Sequence, residues 1–263
     1  MDRDILTEIL AFVEARRKEE GGYGATPLLP ATVEDTYHAL CTIEVLSKIP
    51  SLRKVAAFNR HERSLRRYLA SVSETPWVSA RTTYQALHCS SLTGLTLDRG
   101  QTEDYVKRRL MKPAGLAERY YCARILREVL AIRNMTVWPK ARMLRFFKWR
   151  TARELWMKLY LQQPESSIEP ARQGEMVQWL QACQNGDGGF GFLPGTTSYI
   201  ENCHTCARAL AFFNAKPLDF EGCRRFILAC STRNGGFARN PGAAPFLDAT
   251  WHAVAVLSLL EVL

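Results

Sequence analysis

Apolar residues recur at intervals of three and four through Ile5–Lys18, Met176–Gln184 and Cys223–Cys230, the periodicity of helices that bury one face. Each segment runs into a glycine pair and an aromatic: Gly21-Gly22-Tyr23, Gly188-Gly189-Phe190 and Gly235-Gly236-Phe237. Thirteen residues after the first glycine a second helix pattern opens, at Glu34-Asp35-Thr36-Tyr37, Glu201-Asn202-Cys203-His204 and Asp248-Ala249-Thr250-Trp251. The repeating unit is helix, glycine turn, short loop, helix. Degenerate copies open at Arg81-Thr82-Thr83-Tyr84 and at Glu118-Arg119-Tyr120-Tyr121. The aromatic or histidine that follows each opening falls at Tyr37, Tyr84, Tyr121, His204 and Trp251, at separations of 47, 37, 83 and 47 residues. The gap of 83 leaves room for one more unit in Trp138–Gln163, where Pro139 suits a helix start.

This counting predicts an all-α chain of about six helix pairs with no strands. Stacked in a closed ring, the first helix of each pair lies outside and the second inside, so that both are buried without exposed ends. The breaks near Ser51, Gly94, Pro164 and Pro217 read as connections, and 1–263 as a single domain. The glycines are expected to supply left-handed helix C-caps, and the acids that open the second helices to sit on free N–H groups and the positive end of the dipole.

Composition changes the picture in four respects. With 47% hydrophobic and 23% charged residues, the chain is an ordinary globular one and not a disordered or disulfide-stapled one. No apolar run reaches membrane-span length, and the opening MDRDILTEIL carries acids where a signal peptide carries bases, so a cytoplasmic protein is expected. Eight cysteines, mostly in apolar helical stretches, are expected to be buried and reduced. The net charge of +9 is concentrated: Arg99 to Lys158 carries sixteen Lys and Arg against five Asp and Glu. Within it, 138–150 interleaves bases with aromatics. That segment reads either as a helix lying on an anionic membrane surface or as a ring helix whose bases snorkel outward. No module for nucleic acid accompanies the charge, and no nucleic acid is expected as a partner.

The segments QACQNGDGGFGFLPG and STRNGGFARNPGAAPFLDATWHAV resemble the prenyltransferase and squalene-cyclase repeat of protein prenyltransferase β subunits and squalene-hopene-type terpene cyclases. The resemblance implies an α/α toroid whose inner helices surround an apolar cavity for an isoprenoid chain. It places Tyr37, Tyr84, Tyr121, His204 and Trp251 along that cavity, with Arg81, Arg119 and Arg124 positioned to neutralise a diphosphate. Protein prenyltransferases bind zinc through an Asp-x-Cys and a His from the next inner helix. The matching positions are Glu201 and Cys203, while Trp251 stands at the His position and His252 one residue later. A zinc site of Glu201, Cys203 and His252 would activate a substrate thiol. The bases that precede this motif in the family are absent from FLPGTTSYIEN. Terpene cyclases use Asp-x-Asp-Asp-Thr, which Thr32-Val33-Glu34-Asp35-Thr36 resembles, with Glu34 as the acid and Asp35 holding its proton in place. Three functions follow from the resemblance: prenyltransferase-like chemistry on an isoprenoid diphosphate, with a second protein subunit; cyclase-like protonation by Glu34 and Asp35; and a non-catalytic toroid that binds a partner or a membrane. The Cys203-x-x-Cys206 pair lies in an apolar helix and reads as core filling.

Overall fold

The structure is a computed structural model that describes residues 3–49, 63–73, 79–133, 137, 148–162 and 168–262. Eleven α-helices form among these residues: α1 (Arg3–Glu14), α2 (Val33–Ser47), α3 (Arg63–Ser73), α4 (Ala80–Leu92), α5 (Arg99–Met111), α6 (Leu116–Arg124), α7 (Ala152–Gln162), α8 (Pro170–Ala182), α9 (Ile200–Phe212), α10 (Phe220–Ala229) and α11 (Leu247–Val262). A π-helical turn, Ile125–Val129, continues α6. No strand forms among the described residues; five single antiparallel bridges, such as Gln184 to Phe190, pin the glycine turns. No described helix is long and apolar enough to cross a membrane.

Residues 1–263, read as one domain from the sequence, divide into two compact units. The first comprises Met1–Phe12 and Arg142–Leu263, the second Val13–Ala141. In the first unit α9 packs against α7, α8 and α11, and α10 packs against α11. In the second, α4 packs against α2, α3 and α6, while α5 lies on α6. The alternation of helix types is visible in burial. Along α2, nine residues from Thr36 to Leu46 are buried on all sides, whereas α8 buries only Met176 and Leu180. The first pattern belongs to an inner helix and the second to an outer helix with one apolar stripe.

The three clear repeats share one hydrogen-bond scheme. In each, the turn is closed by an N–H···O=C bond to the second glycine: Lys18 to Gly22 (3.1 Å), Asn185 to Gly189 (2.9 Å) and Thr232 to Gly236 (2.9 Å). The aromatic's own N–H then reaches thirteen residues on, to the start of the inner helix. Tyr23 N–H donates to Thr36 Oγ1 and Phe237 N–H to Thr250 Oγ1, both at 3.0 Å. In the middle copy Phe190 N–H bonds the Cys203 sulfur.

The glycines do a different job from the C-capping expected of them. The helices end earlier, at Glu14, Ala182 and Ala229, and Gly21, Gly188 and Gly235 follow in the turns, with φ of +105°, +86° and +83°. A Cβ on Gly188 would strike the Gly222 carbonyl of α10, and one on Gly235 the Glu8 carbonyl of α1. The second glycine of each pair lies under a ring, Phe226 over Gly189 and Phe12 over Gly236. Positive φ and close approach therefore both require glycine. Through Glu8 and Phe12, the last repeat seats itself on the first helix of the chain.

The additional unit expected in Trp138–Gln163 is represented by α7, which begins at Ala152; 138–147 lie outside the described residues. All eight cysteines are buried as free thiols.

Candidate functional site

In the second unit, the inner-helix openings bring three of the expected aromatics into one row. Ser79 caps α4 by accepting the Thr82 N–H, and Thr83, buried, donates to the Ser79 carbonyl at 2.8 Å. This fixes the first turn and turns Tyr84 inward, where its ring lies 5.8 Å from Tyr37 of α2 and 5.9 Å from Tyr121 of α6. Tyr37 and Tyr84 are 4% and 0% exposed, so the row is part of the core. His88, one turn along α4, stacks on Tyr84 at 5.4 Å.

Arg124, at the end of α6, lies over this row. Its guanidinium carbon is 4.0 Å from the Tyr84 ring centre and 5.7 Å from that of Tyr120, distances at which the ring quadrupole attracts a cation. Glu128, inside the π-helical turn, takes Arg124 Nε at 3.0 and 3.1 Å and its terminal nitrogen at 2.8 Å. The same carboxylate accepts the Tyr84 hydroxyl at 2.7 Å. Burial works against the charge on Arg124, but Tyr37, Tyr84, Tyr120 and Glu128 outweigh it and hold the guanidinium protonated. Burial pushes His88 down to about 4, with Arg124 adding to the effect, and His38 down to about 3, with Arg81 adding. Both imidazoles are neutral at neutral pH. Burial raises the Tyr37 and Tyr84 phenols and lifts the Cys41 thiol to about 12.

Of the residues expected at an isoprenoid site, the second unit thus gathers Tyr37, Tyr84, Tyr121 and Arg124. Arg81 and Arg119 are engaged elsewhere: Arg81 forms an exposed ion pair with Glu34, and Arg119 donates to the carbonyls of Ala114 (3.2 Å) and Val137 (2.9 Å). Glu128 and His88 belong to the cluster although the sequence reading gave neither a role there. The four-residue step from Arg124 to Glu128 was the available signal for the first, and the step from Tyr84 to His88 for the second.

Glu34 and Asp35 do not form a buried acid pair. Glu34 is exposed on Arg81, and Asp35 takes part in the cap, its Oδ2 accepting the Thr32 hydroxyl at 2.6 Å and its N–H bonding Thr32 Oγ1 at 3.0 Å. An alkene-protonating acid needs a carboxyl kept out of water, and Glu34 occupies the opposite environment.

The first unit holds His204 and Trp251, with ring centres 4.8 Å apart. His252 joins them, its Nδ1 2.8 Å from that of His204. The expected zinc ligands do not converge. Glu201 is bonded by Arg239, with Nε at 3.0 Å. Cys203 holds the Phe190 N–H and the Cys223 thiol, and burial raises its own thiol well above the ordinary range. His252 turns to His204, as a one-residue offset of about 100° on a helix predicts. Among the described residues no group of three or more His, Cys, Asp and Glu is arranged to hold a metal ion. The donor set read from the sequence therefore does not fit zinc in this arrangement. Cys206 pairs with Cys183 in the same thiol-rich core.

Most of the basic segment expected at a membrane, 138–147, lies outside the described residues. Its end is packed: Trp149 meets Trp179 at 5.8 Å and lies under Arg172 at 4.7 Å.

Comparison with known proteins agrees with the repeat architecture. Residues 1–123 and 151–263 match the prenyltransferase alpha-alpha toroid domain. A shorter stretch of 89 residues is 33% identical to the geranylgeranyl transferase type-2 subunit beta of Candida albicans, covering 32% of this chain and 26% of that subunit. The match across both halves, the shared turn chemistry and the all-helical build lead to one assignment: the chain belongs to the prenyltransferase α/α toroid family.

Proposed function

We propose that this protein binds an isoprenoid diphosphate and handles the chain as a prenyltransferase-type subunit, in company with a second protein subunit. The observation that carries the reading is the Tyr37–Tyr84–Tyr121 row beneath Arg124: the half-buried Tyr121 and Arg124 give it an accessible end for a polyprene and its anionic head, and Tyr37 and Tyr84 back that end from the core. The name of the similar Candida albicans protein supplies the finer terms, a geranylgeranyl chain and a β subunit that works within an enzyme. Binding is better supported than a bond-making step. The dispersed positions of Glu201, Cys203 and His252 favour, as a second reading, a toroid that binds the chain without metal-assisted transfer.

The test is a fluorescence titration of the purified chain with geranylgeranyl diphosphate and, separately, geranylgeraniol. Saturable micromolar binding of the diphosphate is expected, weakened about tenfold or more in Arg124→Met and less affected for the alcohol. Absence of saturable binding of either compound by folded protein would refute the reading. Turnover of a thiol acceptor by the chain with its partner subunit would decide for transfer over binding alone.

A further inference from the structure

The guanidinium of Arg124 is already engaged on the side from which a ligand would come. Its side chain is 11% exposed and that of Glu128 27%, so the carboxylate is the more open of the two. Glu128 takes Nε at 3.0 and 3.1 Å and Nη2 at 2.8 Å, while Nη1 has no hydrogen-bond partner among the described residues. The Tyr84 hydroxyl, donating at 2.7 Å, anchors the same carboxylate. Glu128 belongs to the π-helical turn and not to α6, the Leu130 N–H reaching the Ile125 carbonyl at 3.0 Å. Such turns are rare and recur at functional sites.

Charge then decides which head groups can use this arginine. Burial keeps the Tyr37 and Tyr84 phenols and the His88 imidazole neutral at neutral pH, which leaves one guanidinium set against one carboxylate. An anionic head therefore gains the full cation only by taking the place of Glu128. A singly charged head exchanges one carboxylate for another, with no net gain. A diphosphate brings more charge and more acceptor oxygens, finds Nη1 open to it, and can displace the internal carboxylate.

We propose that Glu128 is a specificity-determining residue of this site: an internal carboxylate that occupies Arg124 against singly charged lipids and yields it to a head group of higher charge. The inference rests on the isoprenoid reading given above and adds to it the residue that selects the head. Where Glu128 occupies the guanidinium in about nine molecules of ten, a ligand that needs Arg124 free binds about tenfold more weakly than it would otherwise.

The experiment is a fluorescence titration of the full chain with three lipids of one chain length: geranylgeranyl diphosphate, geranylgeranoic acid and geranylgeraniol. The wild type is expected to bind the diphosphate about tenfold tighter than the acid, and the acid no tighter than the alcohol. Glu128→Gln keeps an acceptor for Tyr84 and removes the charge. It should tighten both the acid and the diphosphate about tenfold and leave the alcohol within about twofold. Tyr84→Phe keeps the ring under Arg124 and removes the hydroxyl that anchors the carboxylate, so the acid should tighten by about threefold. Were Glu128 only a support for Arg124, both variants would bind the diphosphate more weakly. That result, or equal binding of acid and diphosphate by the wild type, would overturn the proposal and leave the isoprenoid reading standing. No saturable binding of any of the three by folded wild-type chain would refute the isoprenoid reading, and this proposal with it. The wild-type comparison of the three lipids decides the matter even where a variant fails to fold.

Discussion

Replacing Thr250 by valine preserves a side chain's shape and removes one hydroxyl. That hydroxyl accepts the Phe237 N–H at 3.0 Å and donates to the Phe246 carbonyl at 2.7 Å. The carbonyl keeps a partner in the Thr250 N–H at 2.9 Å, so the loss falls on one group, the Phe237 N–H. Phe237 and Thr250 are both 0% exposed, and water does not replace the bond. A buried donor left unpaired costs about 1–3 kcal/mol, which in a chain of this size lowers the thermal midpoint by about 3–8 °C. Cys203 holds the same place in the middle copy. Cys203→Ser offers an oxygen to the Phe190 N–H and is expected to lie within about 1 kcal/mol of the wild type. Thermal unfolding followed by circular dichroism gives the midpoints, and hydrogen exchange at the Phe237 amide localises the effect. A Thr250→Val chain as stable as the wild type, or Cys203→Ser the more damaging of the two, would falsify the assignment of this bond as the lock on the inner-helix start. Cys203 would then have no structural duty to set against the metal role that the family resemblance gives it.

Three further outcomes follow from the same geometry. Glu128→Ala leaves Arg124, 11% exposed in its side chain, without its carboxylate and Tyr84 without its acceptor; a loss of about 2 kcal/mol in urea denaturation is expected, reduced from the fully buried case because Glu128 is partly solvated, and Glu128→Gln should recover part of it. Gly235→Ala should prevent folding or cost more than about 3 kcal/mol, because its φ of +83° coincides with a clash against the Glu8 carbonyl, whereas Gly242→Ala, at the same φ with nothing within 4 Å, should cost only about 1 kcal/mol, as thermal melts of the two variants will reveal. His88, neutral in the fold with a pKa of about 4 against 6.5 unfolded, contributes stability that is full above about pH 6.5 and is lost as the pH falls towards 4, since only the unfolded chain takes up a proton there; His88→Gln should flatten the fall in urea midpoint across that window, and an unchanged slope would assign it to other groups.

Much of the fold was legible because the repeat is written in local chemistry. Glycine pairs, acids at helix starts and the three-and-four apolar rhythm gave the helices, their order and the row of Tyr37, Tyr84 and Tyr121. What the sequence concealed depends on partners distant along the chain. The second glycine of each pair is required by a ring from another helix, Phe226 over Gly189 and Phe12 over Gly236, and no local pattern announces that contact. The π-helical turn at Ile125–Val129 lies inside a run that reads as an ordinary helix. The burial of Arg124 is likewise invisible in a stretch where most bases are solvated, because it depends on Tyr37 and Tyr84, which come from α2 and α4.

Among the described residues the expected zinc ligands are not brought together, and the repeat itself explains why their spacing recurs without a metal. An acid, a spacer and an acceptor recur in all three clear copies, as Glu34-Asp35-Thr36, Glu201-Asn202-Cys203 and Asp248-Ala249-Thr250. In two of the copies the acid engages an arginine from further along the chain, Glu34 with Arg81 and Glu201 with Arg239, and in the third Asp248 accepts the Ala249 N–H. In each, the third residue receives the N–H of the aromatic thirteen positions earlier. The metal-binding Asp-x-Cys of the family thus shares its spacing with a signature that the fold needs in any case, and a cysteine at the acceptor position is as well explained by the turn as by a metal. The residue immediately after the acceptor differs between copies, Tyr37, His204 and Trp251. The acceptor is fixed by a backbone bond, whereas its neighbour faces other side chains: Tyr37 meets Tyr84, and His204 meets Trp251 and His252. Positions on which the copies agree hold each turn to the helix that follows it; the position on which they differ is where chemistry particular to this chain has room to reside.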